Sequence, residues 1–222
     1  LWPDKRSFKL HGPPAPSVKA PLVVVGVVDD AIGFAHQRFR YRDAGGVERT
    51  RFHAFWIQGK RPPGAGLPGP LPSYGTVLWR SDINTLLGQS TLAGTIDEDR
   101  VYALAGQDFS GDAHKNRGRR AGHGTHVLDI AAGEEPADAT AATPAIIAAV
   151  ELPVAVTADT SGAQLTSYAL DGIFWIAVQA YLMGKARGTS ALPCVVNLSY
   201  GTLSGPHDGS DLLARAIDFF IW

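Results

Sequence analysis

The residues of this 222-residue chain best suited to chemistry are a carboxylate at the end of an apolar run and an imidazole 94 positions later. The run Pro21-Leu-Val-Val-Val-Gly-Val-Val28 leads straight into Asp29 and Asp30, and His123 opens the segment His-Gly-Thr-His-Val127. A neutral imidazole can take the proton of a hydroxyl as that oxygen attacks a carbonyl. A buried carboxylate bonded to its other nitrogen fixes the tautomer and stabilises the imidazolium that results. His123 is a candidate for the first role, and Asp29 or Asp30, at a strand end, for the second. By spacing alone the aspartates read as turn or helix-capping residues. A metal site is a rival use, with His123, His126 and either Asp112 or His114 as donors. The two histidines are three residues apart with no glutamate between them, unlike a helical metalloprotease motif, so no metal is expected. His126 then reads as a helix residue with structural hydrogen bonds.

Positioning such a pair requires a strand end and a helix start. Residues 21–28 are short, β-branched and continuously apolar, the pattern of a strand covered on both faces in a parallel sheet. The carboxyl ends of such strands are where ligands and chemistry gather in open α/β sheets. His123 through Ala132 reads as a short helix stopped by Gly133, which puts His123 at its start. Ala145 to Leu152 and Cys194 to Ser199 read as further buried strands, with Cys194 in the core. Leu165 to Lys185 carries Leu170, Ile173, Phe174, Ala177, Tyr181 and Leu182 on a helical period, and Asp211 to Phe220 reads as a last helix. Strand and helix alternate, so the expected fold class is α/β, a doubly wound and mostly parallel sheet with helices on both faces.

Other stretches read as connections. Residues 1–20 suggest an extended arm, and Gly59 to Tyr74, rich in proline and glycine, a surface loop. Arg38 to Tyr41 and Arg51 to Ile57 suggest a hairpin around Ala44-Gly45-Gly46. The basic group Lys115, Arg117, Arg119 and Arg120 reads as a solvated loop. A formal charge of −1 gives no electrostatic case for nucleic acid or an anionic membrane, and the apolar stretches are too short or interrupted to span a bilayer. One cysteine excludes an internal disulfide and leaves the compartment unreadable.

Three stretches, in order, resemble the subtilisin-like serine proteases (subtilases). Val27-Val-Asp-Asp-Ala-Ile-Gly-Phe-Ala-His36 is similar to the strand and turn around that family's catalytic aspartate, with Ala31 where a glycine is common. His123-Gly-Thr-His-Val-Leu-Asp-Ile-Ala-Ala-Gly133 is similar to the histidine motif, with Leu128 and Asp129 replacing alanine and glycine. Val195-Val-Asn-Leu-Ser-Tyr-Gly201 is similar to the strand whose exposed edge pairs with the substrate backbone. The resemblance covers roughly residues 21–36 and 121–220 and implies a partial subtilase catalytic domain over 1–222, with 37–120 largely an insertion. It implies Asp29 and His123 as catalytic residues, Ser199, Tyr200 and Gly201 as lining of the substrate cleft, and a peptide or protein substrate. Gly188-Thr-Ser-Ala191 is superficially like the nucleophile motif, but its spacing is one residue short and it precedes the substrate strand, so Ser190 reads as a loop residue. The serine and the oxyanion asparagine are therefore expected in a missing C-terminal segment, leaving this chain inactive alone. No cofactor is expected; calcium often stabilises the family, yet no acidic loop here has a suitable ligand spacing. The alternative is a non-catalytic pseudoprotease or peptide-binding module of the same fold.

Overall fold

The structure, a computed structural model, describes residues 22–59, 72–107 and 122–221, apart from 137, 140–142, 160, 163, 202–205 and 207. The amino-terminal arm, the body of the proline-rich loop, the basic group, and Asp112 and His114 lie outside these residues. Strand β1 (Val23–Asp29) forms as its β-branched run requires. After it come β2 (Arg40–Arg42), β3 (Glu48–Thr50), β4 (Phe52–Ile57) and β5 (Thr76–Trp79). Helix α1 (Arg80–Gln89), the short strands β6 (Thr91–Leu92) and β7 (Thr95–Ile96), and α2 (Glu98–Leu104) complete the middle segment. The remainder is α3 (His123–Ala132), β8 (Ala145–Glu151), α4 (Val154–Thr157), α5 (Leu165–Ala186), β9 (Cys194–Leu198) and α6 (Leu212–Ile221).

Five strands make one mixed sheet in the order β5-β4-β8-β1-β9. All neighbours are parallel except β4 and β5. The period of two along each strand sends alternate side chains to opposite faces. Val24, Val28, Ala148 and Val150 bury against Ile173, Ile176 and Ala180 of α5. Val27, Ile147 and Ala149 bury with Leu128 of α3, Ile83 and Leu87 of α1, and Val101 of α2. Helices thus cover both faces, as expected of an α/β fold whose strands read as unbroken apolar runs. No helix among the described residues is long and apolar enough to cross a membrane.

Two expectations need correction, the hairpin and the core placement of Cys194. The hairpin is made by β2 and β3, and Phe52–Ile57 is a strand of the main sheet beside β8. Between residues 37 and 120 the chain supplies two of the five sheet strands and the fully buried Phe52, Phe55 and Trp56. Cys194 is exposed because β9 is an outer strand. On α5 the stripe of buried residues runs through Ala169, Gly172, Ile173, Ile176, Ala180 and Met183, and Tyr181 is exposed. That helix is apolar on most of its circumference, so period alone did not select its buried side.

Candidate active site

Asp29 ends β1, beside Glu151 at the end of β8, so both carboxylates stand at the carboxyl edge of the parallel strands. The chain must turn sharply here, and the turn is held at each residue. The Asp30 amide donates to Asp29 Oδ1 at 2.8 Å, and the Ile32 amide to Glu151 Oε2 at 3.1 Å. Thr125 Oγ1 donates to the Ala31 carbonyl at 2.8 Å and accepts from the Gly33 amide at 2.7 Å. Ala31 itself has φ +48°, a left-handed conformation that glycine adopts without a side-chain penalty. Replacing Ala31 with glycine should therefore stabilise the chain by up to about 1 kcal/mol, less the extra entropy of the unfolded glycine. Urea denaturation checks this; a lowered midpoint would show the turn to be unstrained.

Helix α3 docks on this turn by its first residues. A Cβ on Gly124 would lie 2.2 Å from the Asp30 carbonyl oxygen and 2.9 Å from Asp29 Cβ. Without one, the Gly124 amide donates to the Asp30 carbonyl at 2.9 Å. In the segment His-Gly-Thr the glycine thus permits contact, and the threonine clips the turn. At the other end of α3, the buried Arg51 donates to the Ala132 carbonyl and pairs with Glu134 at 3.3 Å. Arg38 pairs with Asp129 and Glu135. Cations at a helix carboxyl terminus complement its dipole. Leu128 and Asp129 are accounted for here, the first by burial in the core and the second by its pair with Arg38.

These contacts bring His123 Nδ1 to 2.7 Å from Asp29 Oδ1. The Asp29 side chain is 0% exposed and that of His123 is 52% exposed, so a buried acid backs an accessible imidazole. Burial holds the Asp29 carboxyl above its ordinary pKa, against the opposing hydrogen bonds from His123 and the Asp30 amide. With a carboxylate on Nδ1, the neutral imidazole keeps its proton there and presents Nε2 as the base.

Past the end of β9, Tyr200 brings its ring to 5.8 Å from the His123 ring, edge to face at 63°. Burial, together with the nearby Asp30 and Asp29 charges, raises the pKa of its hydroxyl. Ser199 and Gly201 are exposed, and Ser199 Oγ donates to Asn197 Oδ1 at 2.7 Å. Of the residues expected around a cleft, Tyr200 therefore reaches the Asp-His pair, whereas Ser199 turns to its own strand. His126 is exposed on α3. Asp29, Asp30 and His123 do offer ligand atoms within 4.8 Å of one another. This set of one imidazole and two carboxylates suits a zinc-like ion better than calcium, which takes six or more oxygens. An ion held through Nδ1 would also displace the bond to Asp29. Thr125 and Glu151 were missed by sequence reasoning; Glu151 carries the same signal as Asp29, an acid closing an apolar run. Set against known protein families and curated proteins, the chain finds no match.

Proposed function

We propose that this chain supplies the aspartate and histidine of a serine endopeptidase of the subtilisin type. The observation that carries the reading is the 2.7 Å contact between the wholly buried Asp29 and the half-exposed His123, at the carboxyl edge of a parallel sheet. In this reading His123 Nε2 takes the proton of a serine hydroxyl as the oxygen attacks the peptide carbonyl, then returns it to the leaving amine. Asp29 holds the Nδ1 proton and stabilises the imidazolium. The serine and the oxyanion donors are assigned to protein beyond residue 222, and Ser190 keeps its place in the exposed loop between α5 and β9. The outer edge of β9 would pair with substrate backbone, with Ser199, Tyr200 and Gly201 along the cleft. The finer fold in this reading is subtilisin-like, with residues 37–120 expanded between the two catalytic motifs.

A fluorophosphonate probe tests the proposal in the longer protein that carries this chain. The serine should be labelled, and His123→Ala should slow labelling by a factor of about 10²–10⁴, the usual contribution of a positioned base. A folded protein, freed of any propeptide, that takes no label would instead favour a non-catalytic binding module.

A further inference from the structure

We infer that Thr125 is a positioning residue for the Asp29-His123 pair, its hydroxyl locking the strand-end turn in the conformation that keeps the carboxylate on the imidazole. The inference rests on the aspartate-histidine reading and adds to it a side chain that acts through the backbone. Three observations combine. First, one hydroxyl spans the turn: Thr125 Oγ1 donates to the Ala31 carbonyl at 2.8 Å and accepts from the Gly33 amide at 2.7 Å. A hydroxyl can donate and accept at once, which a valine of the same shape cannot. Second, the turn needs holding, because Ala31 stands at φ +48°, a left-handed conformation that its Cβ disfavours. Third, the same stretch of α3 grips the preceding carbonyl, with the Gly124 amide donating to Asp30 at 2.9 Å. Successive carbonyls of the turn, Asp30 and Ala31, are thus held by successive residues of the helix, Gly124 and Thr125.

The two members of the pair stand just outside this contact. His123 precedes Gly124 and Asp29 precedes Asp30, so the fit of turn to helix sets how far apart the carboxylate and the imidazole project. The Gly124 bond alone is a pivot about which the helix start could turn. The Thr125 clasp, on a carbonyl and an amide two residues apart, stops that rotation. Ala31 and Gly33 are buried, so without the hydroxyl their carbonyl and amide would be left unpaired away from water, and the turn would relax to find other partners. Release of Ala31 from its left-handed conformation would shift the neighbouring Asp30 amide, which holds Asp29 Oδ1 at 2.8 Å, and so loosen the carboxylate from Nδ1.

The test uses the 222-residue chain itself, labelled with nitrogen-15, and follows exchange of the His123 Nδ1 proton with water by imidazole-selective NMR. The wild type should show a protected Nδ1 proton, and Asp29→Ala should abolish it. Thr125→Val keeps the shape and loses both bonds, and should speed exchange by about tenfold, the scale of one lost hydrogen bond. Thr125→Ser keeps the hydroxyl and should leave the rate near that of the wild type. Ile83→Val, a core truncation on α1 that lowers stability without touching the turn, should not change it. A valine variant no faster than the wild type, or no faster than Ile83→Val, would overturn the proposal. Should Thr125→Val unfold by its amide spectrum, it is combined with Ala31→Gly, which relieves the turn, and exchange must then exceed that of Ala31→Gly alone. A double variant that is also unfolded would make the hydroxyl a requirement of the fold and not of the pair, and would equally overturn the proposal. A wild-type signal indifferent to Asp29→Ala would overturn the aspartate-histidine pair instead, and absence of any protected proton would overturn both.

Discussion

Replacing Gly124 with alanine should part the histidine from the aspartate and destabilise the chain by about 2–3 kcal/mol, the upper range for overpacking a tight contact. The added methyl would fall 2.2 Å from the Asp30 carbonyl oxygen, 2.8 Å from Ile32 Cγ1 and 2.9 Å from Asp29 Cβ. The nearest atom is backbone, in a turn already held by Thr125 and Glu151, so it cannot rotate aside. The helix has to lift, and its far end is anchored by Arg51 and Arg38. It would therefore tilt about that end and carry His123 out of reach. Urea denaturation gives the stability loss, and the NMR signal of the Nδ1 proton gives the separation. An unchanged midpoint with an intact signal would mean that the strand end yields instead.

The second large effect is expected at Asp29, with opposite signs for activity and stability. If the proposed serine completes the site, Asp29→Asn should lower kcat by about 10⁴, the penalty when an amide in this position selects the wrong imidazole tautomer. The folded chain should nevertheless gain stability at neutral pH. Burial holds the folded Asp29 pKa above its unfolded value of about 3.9. The folded state therefore binds the proton more tightly than the unfolded state does. That contribution is fully present below the unfolded pKa and is lost as pH rises through the folded one. The asparagine variant cannot lose it. Thermal midpoints of the two chains should thus lie close together at acid pH and separate, with the variant higher, as pH climbs through that window. A wild type that is more stable than the variant at pH 7 would show that the bond to His123 outweighs burial. A site residue kept ionised in an apolar setting is the usual form of a trade between stability and activity.

How much of this was legible beforehand follows from which forces are local. The runs at β1 and β8 and the glycine-stopped helix at His123 carry their own patterns, and the structure forms them within a residue or two of the expected bounds. Phe52-His-Ala-Phe-Trp-Ile57 carries one too, but a hairpin arm and a central strand look alike until the partner is known. That partner, β8, lies about ninety residues on. Helix α1 went unread because only Ile83 and Leu87 of Arg80–Gln89 are buried, too few for a visible period, although Asp82 accepts from the Trp79 amide at 2.8 Å and marks its start. At the site, Asp29 and His123 were named by the register of the subtilase-like motifs together with their placement at a strand end and a helix start. Tyr200 was taken as cleft wall, because its meeting with His123 depends on β9 being placed next to β1, and strand order is not a property of any one segment.

That same strand order sets the course of assembly. β1 sits between β8 and β9, pairing Val23 with Ala145 and Val24 with Cys194. A ribosome delivers this valine-rich strand more than a hundred residues before its first neighbour and about 170 before its second. Closing loops of that size makes folding slow, and until they close an aggregation-prone edge stands open on the nascent chain. Among the described strands of the sheet, the first synthesised is thus the last completed, and the acid at its end gains its surroundings only when nearly all of the sheet has been made.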